Sequence, residues 1–171
     1  NRVTDLFLVG VDNYSDEQIA IFDDVICRLI ENIGSSALIE LSARLASASR
    51  GPTNALNRLS NSDDIAVSGP ALERAPGLTD QDLMVIAGKT GQKQLAAIAG
   101  RSQFSESVTN GLVERGDATV SRKISANLGA RISETGFVKL VNKAKKDREL
   151  ATAISSRSDL PEELVPFLKL A

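Results

Sequence analysis

The chain has 171 residues, of which 42% are hydrophobic and 25% charged, and a formal net charge of −2; this is a globular composition, long enough for one ordinary domain and too apolar for a disordered one. Aromatic residues make up only 4%, with no Trp and one Tyr, so the core is built from small and aliphatic side chains, which suit closely packed helices better than a β-sandwich. The balance of charge argues against a general nucleic-acid binder, the single Cys27 excludes an internal disulfide, and no apolar run approaches the length that crosses a bilayer.

In chain order, VTDLFLVG near the start reads as a short helix. Nothing there resembles a signal peptide, and without an initiator Met the chain reads as part of a longer protein. Ser15 with Gln18 has the pattern of a capping box, opening a helix that runs to about Ile33, and Ser35 or Ser36 starts another that runs to about Ala48. Residues 52–77 hold two more, over Asn54–Ser60 and Asp63–Arg74, with Pro70 expected to kink the second or delay its start.

From Leu78 onward the chain becomes self-similar. LTDQDLMVIA, FSESVTNGLV, ISETGFVKLV and LPEELVPFLK begin at Leu78, Phe104, Ile132 and Leu160, at intervals of 26, 28 and 28 residues. Each opens with a large apolar residue, then Thr79, Ser105, Ser133 or Pro161, then an acid, and eight places on carries Ile86, Leu112, Leu140 or Leu168. Ser and Thr cap the free N–H groups of a starting helix, Pro fits its first turn, and a carboxylate meets the positive end of the helix dipole. A second helix follows in each unit: Gly116 ends one helix and Asp117 starts the next, Asp147 does the same job further on, and apolar residues recur as Leu95 with Ile98, Val120 with Ile124, and Leu150 with Ile154. The expected fold is therefore all-α, an α-solenoid of antiparallel helix pairs in a HEAT-like superhelix, because one such hairpin cannot bury both apolar faces alone. Residues 1–171 read as a single helical-repeat domain with units at about 15–51, 52–77, 78–103, 104–131 and 132–159, and a partial one at 160–171.

A further column lies at the end of each second helix, where Arg101, Asn127 and Arg157 each follow an Ile by three places, with Arg131 nearby. Side chains so placed donate to the unpaired carbonyls of helix ends and tie adjacent units together. The other reading is an anion-reading strip, to which Lys93, Arg122, Lys123 and Arg148 add charge. Residues 89–149 carry twelve Lys and Arg against six Asp and Glu, whereas the rest of the chain carries eight against sixteen. Such a split steers an anionic partner, or pairs one copy of the chain with another.

The stretches DDIAVSGPALE, LTDQDLMVIAG, QLAAIAGRSQFSESVTNGLVERGD, ISANLGARISETGF and SRSDLP resemble a bacterial family, mainly α-proteobacterial, known as domain of unknown function 2336. The resemblance covers essentially the whole chain and lies in repeat consensus. It implies a HEAT-like helical array within a longer cytoplasmic protein, and it implies no reaction.

Residue chemistry points the same way. With no His and one Cys, zinc sites built from those ligands are excluded, and the commonest general base is missing. Cys27, on the apolar side of IAIFDDVICRLI, reads as core. Gly88-Lys89-Thr90 lacks the earlier Gly and the preceding strand of a phosphate-binding loop, and reads as a connector. Neighbouring acids such as Asp23 and Asp24, or Asp63 and Asp64, point about a quarter-turn apart on a helix, so they read as caps and solvated faces. Phe7, Phe22, Phe104, Phe137 and Phe167 read as core and Tyr14 does not, which leaves no aromatic platform for bases. The expectation is thus a cytoplasmic protein-interaction or scaffold module that is not an enzyme, with no cofactor or metal. Its partner is a protein or peptide, or a second copy through charge asymmetry; no membrane is involved, and nucleic-acid or other polyanion binding along 89–149 is the alternative.

Overall fold

The computed structural model describes residues 2–168. Within them the chain is all-α, with twelve α-helices, two 3-10 turns and no strand beyond an isolated parallel bridge between Phe104 and Ala130. In order these are α1 (Arg2–Gly10), α2 (Asp16–Ile30), α3 (Ser35–Leu45), α4 (Thr53–Ser60), α5 (Ile65–Arg74), α6 (Asp80–Ala87), α7 (Gln92–Ile98), α8 (Glu106–Arg115), α9 (Ala118–Ala126), α10 (Glu134–Ala144), α11 (Arg148–Ser155) and α12 (Val165–Leu168).

Local chemistry accounts for most of the starts. The Ser15 side chain accepts from Gln18 N while the Gln18 side chain accepts from Ser15 N, a reciprocal pair that opens α2. Thr79 and Asp82 repeat the device at α6, with Asp82 N donating to Thr79 Oγ1 at 3.2 Å and Thr79 N donating to Asp82 Oδ2 at 2.9 Å. Ser105, Asp117, Ser133 and Asp147 cap α8, α9, α10 and α11. At α3 the cap position falls to Gly34, which supplies no side chain. Pro161 supplies none either, and there the chain forms a 3-10 turn, Glu162–Leu164, before the single turn of α12.

One sequence expectation is narrowed and another is corrected. The helix α5 runs unbroken from Ile65 to Arg74 with Pro70 inside it. Pro70 removes one N–H, but Val67, Ser68, Ala71 and Leu72 are buried on one face and Asp64 caps the start, so packing outweighs the lost bond. Phe167 is 52% exposed, because in the short α12 it is Leu168 that turns inward.

The chain divides into two compact units, Asn1–Ile86 and Ala87–Ala171. In the first, α2 lies against α4, α3 against α5, and α4 against α5. Its core holds Phe7, Ile26, Leu41, Leu45, Leu56, Leu59 and Leu72. Phe7, Tyr14 and Phe22 cluster at the side of α1, with the Tyr14 and Phe22 rings stacked at 5.0 Å. In the second unit, α8 lies against α9 and α10, α9 against α7 and α11, and α10 against α11. Leu95, Ile98, Val108, Leu112, Val120, Ile124, Phe137, Leu140 and Ile154 fill its interior.

Charge divides with the units. The first carries six Arg, no Lys and thirteen Asp and Glu, a net of −7; the second carries fourteen Lys and Arg against nine Asp and Glu, a net of +5.

Candidate functional site

In the second unit, two of the column residues reach carbonyl oxygens at helix ends. Asn127, the residue that closes α9, donates through Nδ2 to Ala99 O at 2.9 Å and Arg101 O at 2.7 Å, at the end of α7. Its Oδ1 accepts from Gly129 N. Arg157, just past α11, is 6% exposed; its guanidinium donates to Asn127 O at 2.7 Å and Ala130 O at 2.9 Å, forms a fork with Asp159, and lies 5.8 Å from the Phe137 ring centroid. These bonds reach carbonyls at and just past helix ends, where Asn127 O also accepts from Ala130 N. Arg101 is half-buried after α7.

The remaining candidates lie on or beside several helices of this unit. Arg122 is held by Asp147 at 2.8 Å and Glu149 at 2.8 Å. The ion pair pulls the Asp147 carboxyl below its ordinary value, helped by the Leu150 N–H. Lys93, Lys123, Arg131 and Arg148 are exposed, on α7, on α9, after α9 and at the start of α11.

A second set of helix-end bonds escaped the sequence reading. Arg115 donates to the carbonyls of Ala87 and Thr90, and Lys143 donates to Val113 O at 2.7 Å and Gly116 O at 2.8 Å, at the end of α8. Burial pushes the Lys143 ammonium down from the usual lysine value. Arg115 and Lys143 stand 28 residues apart, each eleven places after Phe104 or Ile132. The signal was present in the repeat, but a cation near a helix C-terminus is so common that it does not stand out.

Where backbones meet, Gly129 is required. A Cβ there would lie 1.8 Å from Ser102 O, and the Arg131 N–H donates to Phe104 O in the same connector.

The first unit holds the site that sequence alone did not single out. Asp23, on α2, is 5% exposed and accepts from Asn54 N at 2.9 Å and Ala55 N at 2.8 Å, capping α4 from another helix; Pro52, at the cap position of α4, makes no side-chain cap bond. The Cys27 thiol, 8% exposed, donates to Asp23 Oδ1 at 3.7 Å, and burial together with the Asp23 charge pushes it up from the usual thiol value. Cys27 sits as a buried hydrophobe, in a place that suppresses thiolate reactivity.

Beside this contact an open groove of about 550 Å³ runs between α2 and α4, lined by Asp24, Cys27, Asn54, Asn57, Arg58 and Asn61. Asn54, Asn57 and Asn61 follow one another at helical spacing along one face of α4. Asn57 Nδ2 donates to Asp82 at 3.3 Å, Asn61 Nδ2 donates to Asn57 O at 2.6 Å, and Arg58 pairs with Glu31. Past Asn54 a second hollow, of about 370 Å³, reaches Asp16 and Arg50.

The other motifs take structural places. Gly88-Lys89-Thr90 joins α6 to α7, and Asp64 caps α5 through the Ala66 N–H. Among the described residues no group of three or more His, Cys, Asp or Glu is placed to hold a metal ion, and no helix is long and apolar enough to cross a membrane.

No curated protein and no solved structure matches the chain significantly. A family model does match, over residues 67–168, and its description is an uncharacterised protein conserved in bacteria. The match spans more than half of the chain, so this protein belongs to the bacterial family of domain of unknown function 2336.

Proposed function

We propose that the chain is a protein-interaction module, an α-solenoid of HEAT-like antiparallel helix pairs whose exposed helix faces receive a partner chain, and that it carries out no catalysis. The observation that carries this reading is the groove between α2 and α4, open to solvent and lined by three Asn of one helix face. A row of amides matches the alternating donors and acceptors of a polypeptide backbone. The solenoid part draws support from the alternate-helix neighbours in each unit and from the side chains tying one helix end to the next. A reducing compartment such as the cytoplasm suits a chain whose one thiol is buried and unpaired.

The polyanion reading along 89–149 has less behind it. Arg115, Arg122, Lys139 and Lys143 of that segment are already engaged with carbonyls or carboxylates. The two readings separate in a pull-down with the purified chain from a bacterium that carries its gene. The expected result is a protein retained through nuclease treatment and lost when the groove is filled by Asn54→Trp. Retention that nuclease abolishes, or no retained protein, overturns the proposal.

A further inference from the structure

We infer that the α2–α4 groove selects an extended, cationic segment of a partner protein: a Lys or Arg of that segment pairs with Asp24 while its backbone N–H groups donate to the side-chain oxygens of Asn57 and Asn61. This rests on the interaction-module reading and adds the chemistry of the partner.

The hydrogen bonds set the polarity of the groove. Asp82 is a carboxylate and Asn57 O a carbonyl, and both can only accept, so the amide nitrogens of Asn57 and Asn61 are the atoms turned to them. Each residue keeps its Oδ1 as an acceptor with no donor among the described residues, and Asp24 adds a carboxylate. At Asn57, Asn61 and Asp24 the groove therefore offers open oxygen acceptors. It favours a ligand rich in N–H donors over one rich in oxygens.

Charge agrees. Asp24 is exposed and makes no ion pair among the described residues, not even with Arg28 one turn along α2. Arg58, the cation in the lining, is held by Glu31. Asp24 is thus the open charge of the lining, in a unit whose net charge is −7. Such a field draws in cations and turns anions away. The scale fits a peptide: Asn54 to Asn61 spans about 10 Å at the helical rise, the length of about three extended residues.

The test is display of random linear heptapeptides against the immobilised full chain, as wild type and as Asp24→Asn. That substitution changes an exposed side chain with no bonded partner, and circular dichroism checks that the helices remain. The expected outcome is a Lys or Arg at one fixed position of the enriched peptides, about tenfold weaker binding to Asp24→Asn, and shifts of the Asn57 and Asn61 side-chain amide signals on titration. Enriched peptides with no cationic position, or whose binding ignores Asp24→Asn, overturn the inference and leave the interaction module standing. No enrichment and no self-association overturns both. Self-association that Asp24→Asn abolishes, with no peptide enriched, makes a second copy the occupant and also overturns the inference.

Discussion

Asp23 of α2 accepts the backbone N–H of Ala55 at 2.8 Å, 32 residues away, and so closes the N-terminal end of α4 from a different helix. The same carboxylate takes the Asn54 N–H and the Cys27 thiol, so one buried group joins α2 to α4 beneath the groove. Replacing it removes three bonds and leaves two donors inside. Asp23→Ala is expected to cost about 2–3 kcal/mol in urea unfolding, and Asp23→Asn, which keeps one acceptor, about half of that. An Asp23→Ala chain as stable as wild type would show that water caps α4 equally well.

Arg157 plays the comparable part in the second unit. Arg157→Ala removes the guanidinium bonds to Asn127 O and Ala130 O and empties a buried volume beside Phe137, with an expected loss of about 2–4 kcal/mol. Arg157→Lys should recover only a minor part, because one ammonium cannot reproduce the planar fork that reaches Asn127, Ala130 and Asp159 together. Thermal unfolding of the three proteins gives the order. Equal stability of the Lys variant and wild type would remove the geometric argument.

Two glycines are expected to respond with opposite signs. Gly129→Ala puts a methyl group against Ser102 O, a backbone atom that cannot turn aside, so the connector has to move at a cost of about 2 kcal/mol or more. Gly111, inside α8, faces open space, and Gly111→Ala should stabilise by about 0.5–1 kcal/mol through lower backbone entropy in the unfolded chain. Measured unfolding free energies of the same sign at both positions would contradict this.

Acid should weaken the fold partly through Asp82 and Asp147. At Asp82 burial raises the pKa, but the bonds from the Thr79 hydroxyl, the Thr79 N–H and Asn57 outweigh it, so the net shift is downward from 3.8. At Asp147 the Arg122 bond lowers the carboxyl from the same starting value. A depressed folded pKa means stability that is complete above the unfolded value and is lost as pH falls through the folded one. Asp82→Asn should therefore be less stable than wild type at neutral pH, and the gap should shrink below pH 3.8. A gap independent of pH would remove the carboxylate from the account.

Much of the local structure was legible from residues close together in the chain. Ser15, Ser105, Asp117, Ser133 and Asp147 each cap the helix they precede, because a cap needs only a short polar side chain and the N–H groups two or three places on. Helical spacing likewise identified Leu95, Ile98, Val120, Ile124, Leu150 and Ile154 as core. Phe167 was misread because the shortness of α12 overrode what the residue type favours, and at Pro70 packing around α5 ruled out a late start.

What the sequence by itself determined, then, is the all-helical class, where most of the helices begin and most of the side chains that turn inward, since caps and periodicity act within a few residues. Only the tertiary structure decided that Asp23 caps α4, that Arg115 and Lys143 hold helix-end carbonyls, and that the Asn57 and Asn61 amides turn their nitrogens away and leave their oxygens as open acceptors. Each of those bonds joins groups brought together by packing, apart from the Asn61 bond to its own helix, and sequence spacing carries no record of which acceptor a long or branched polar side chain will meet.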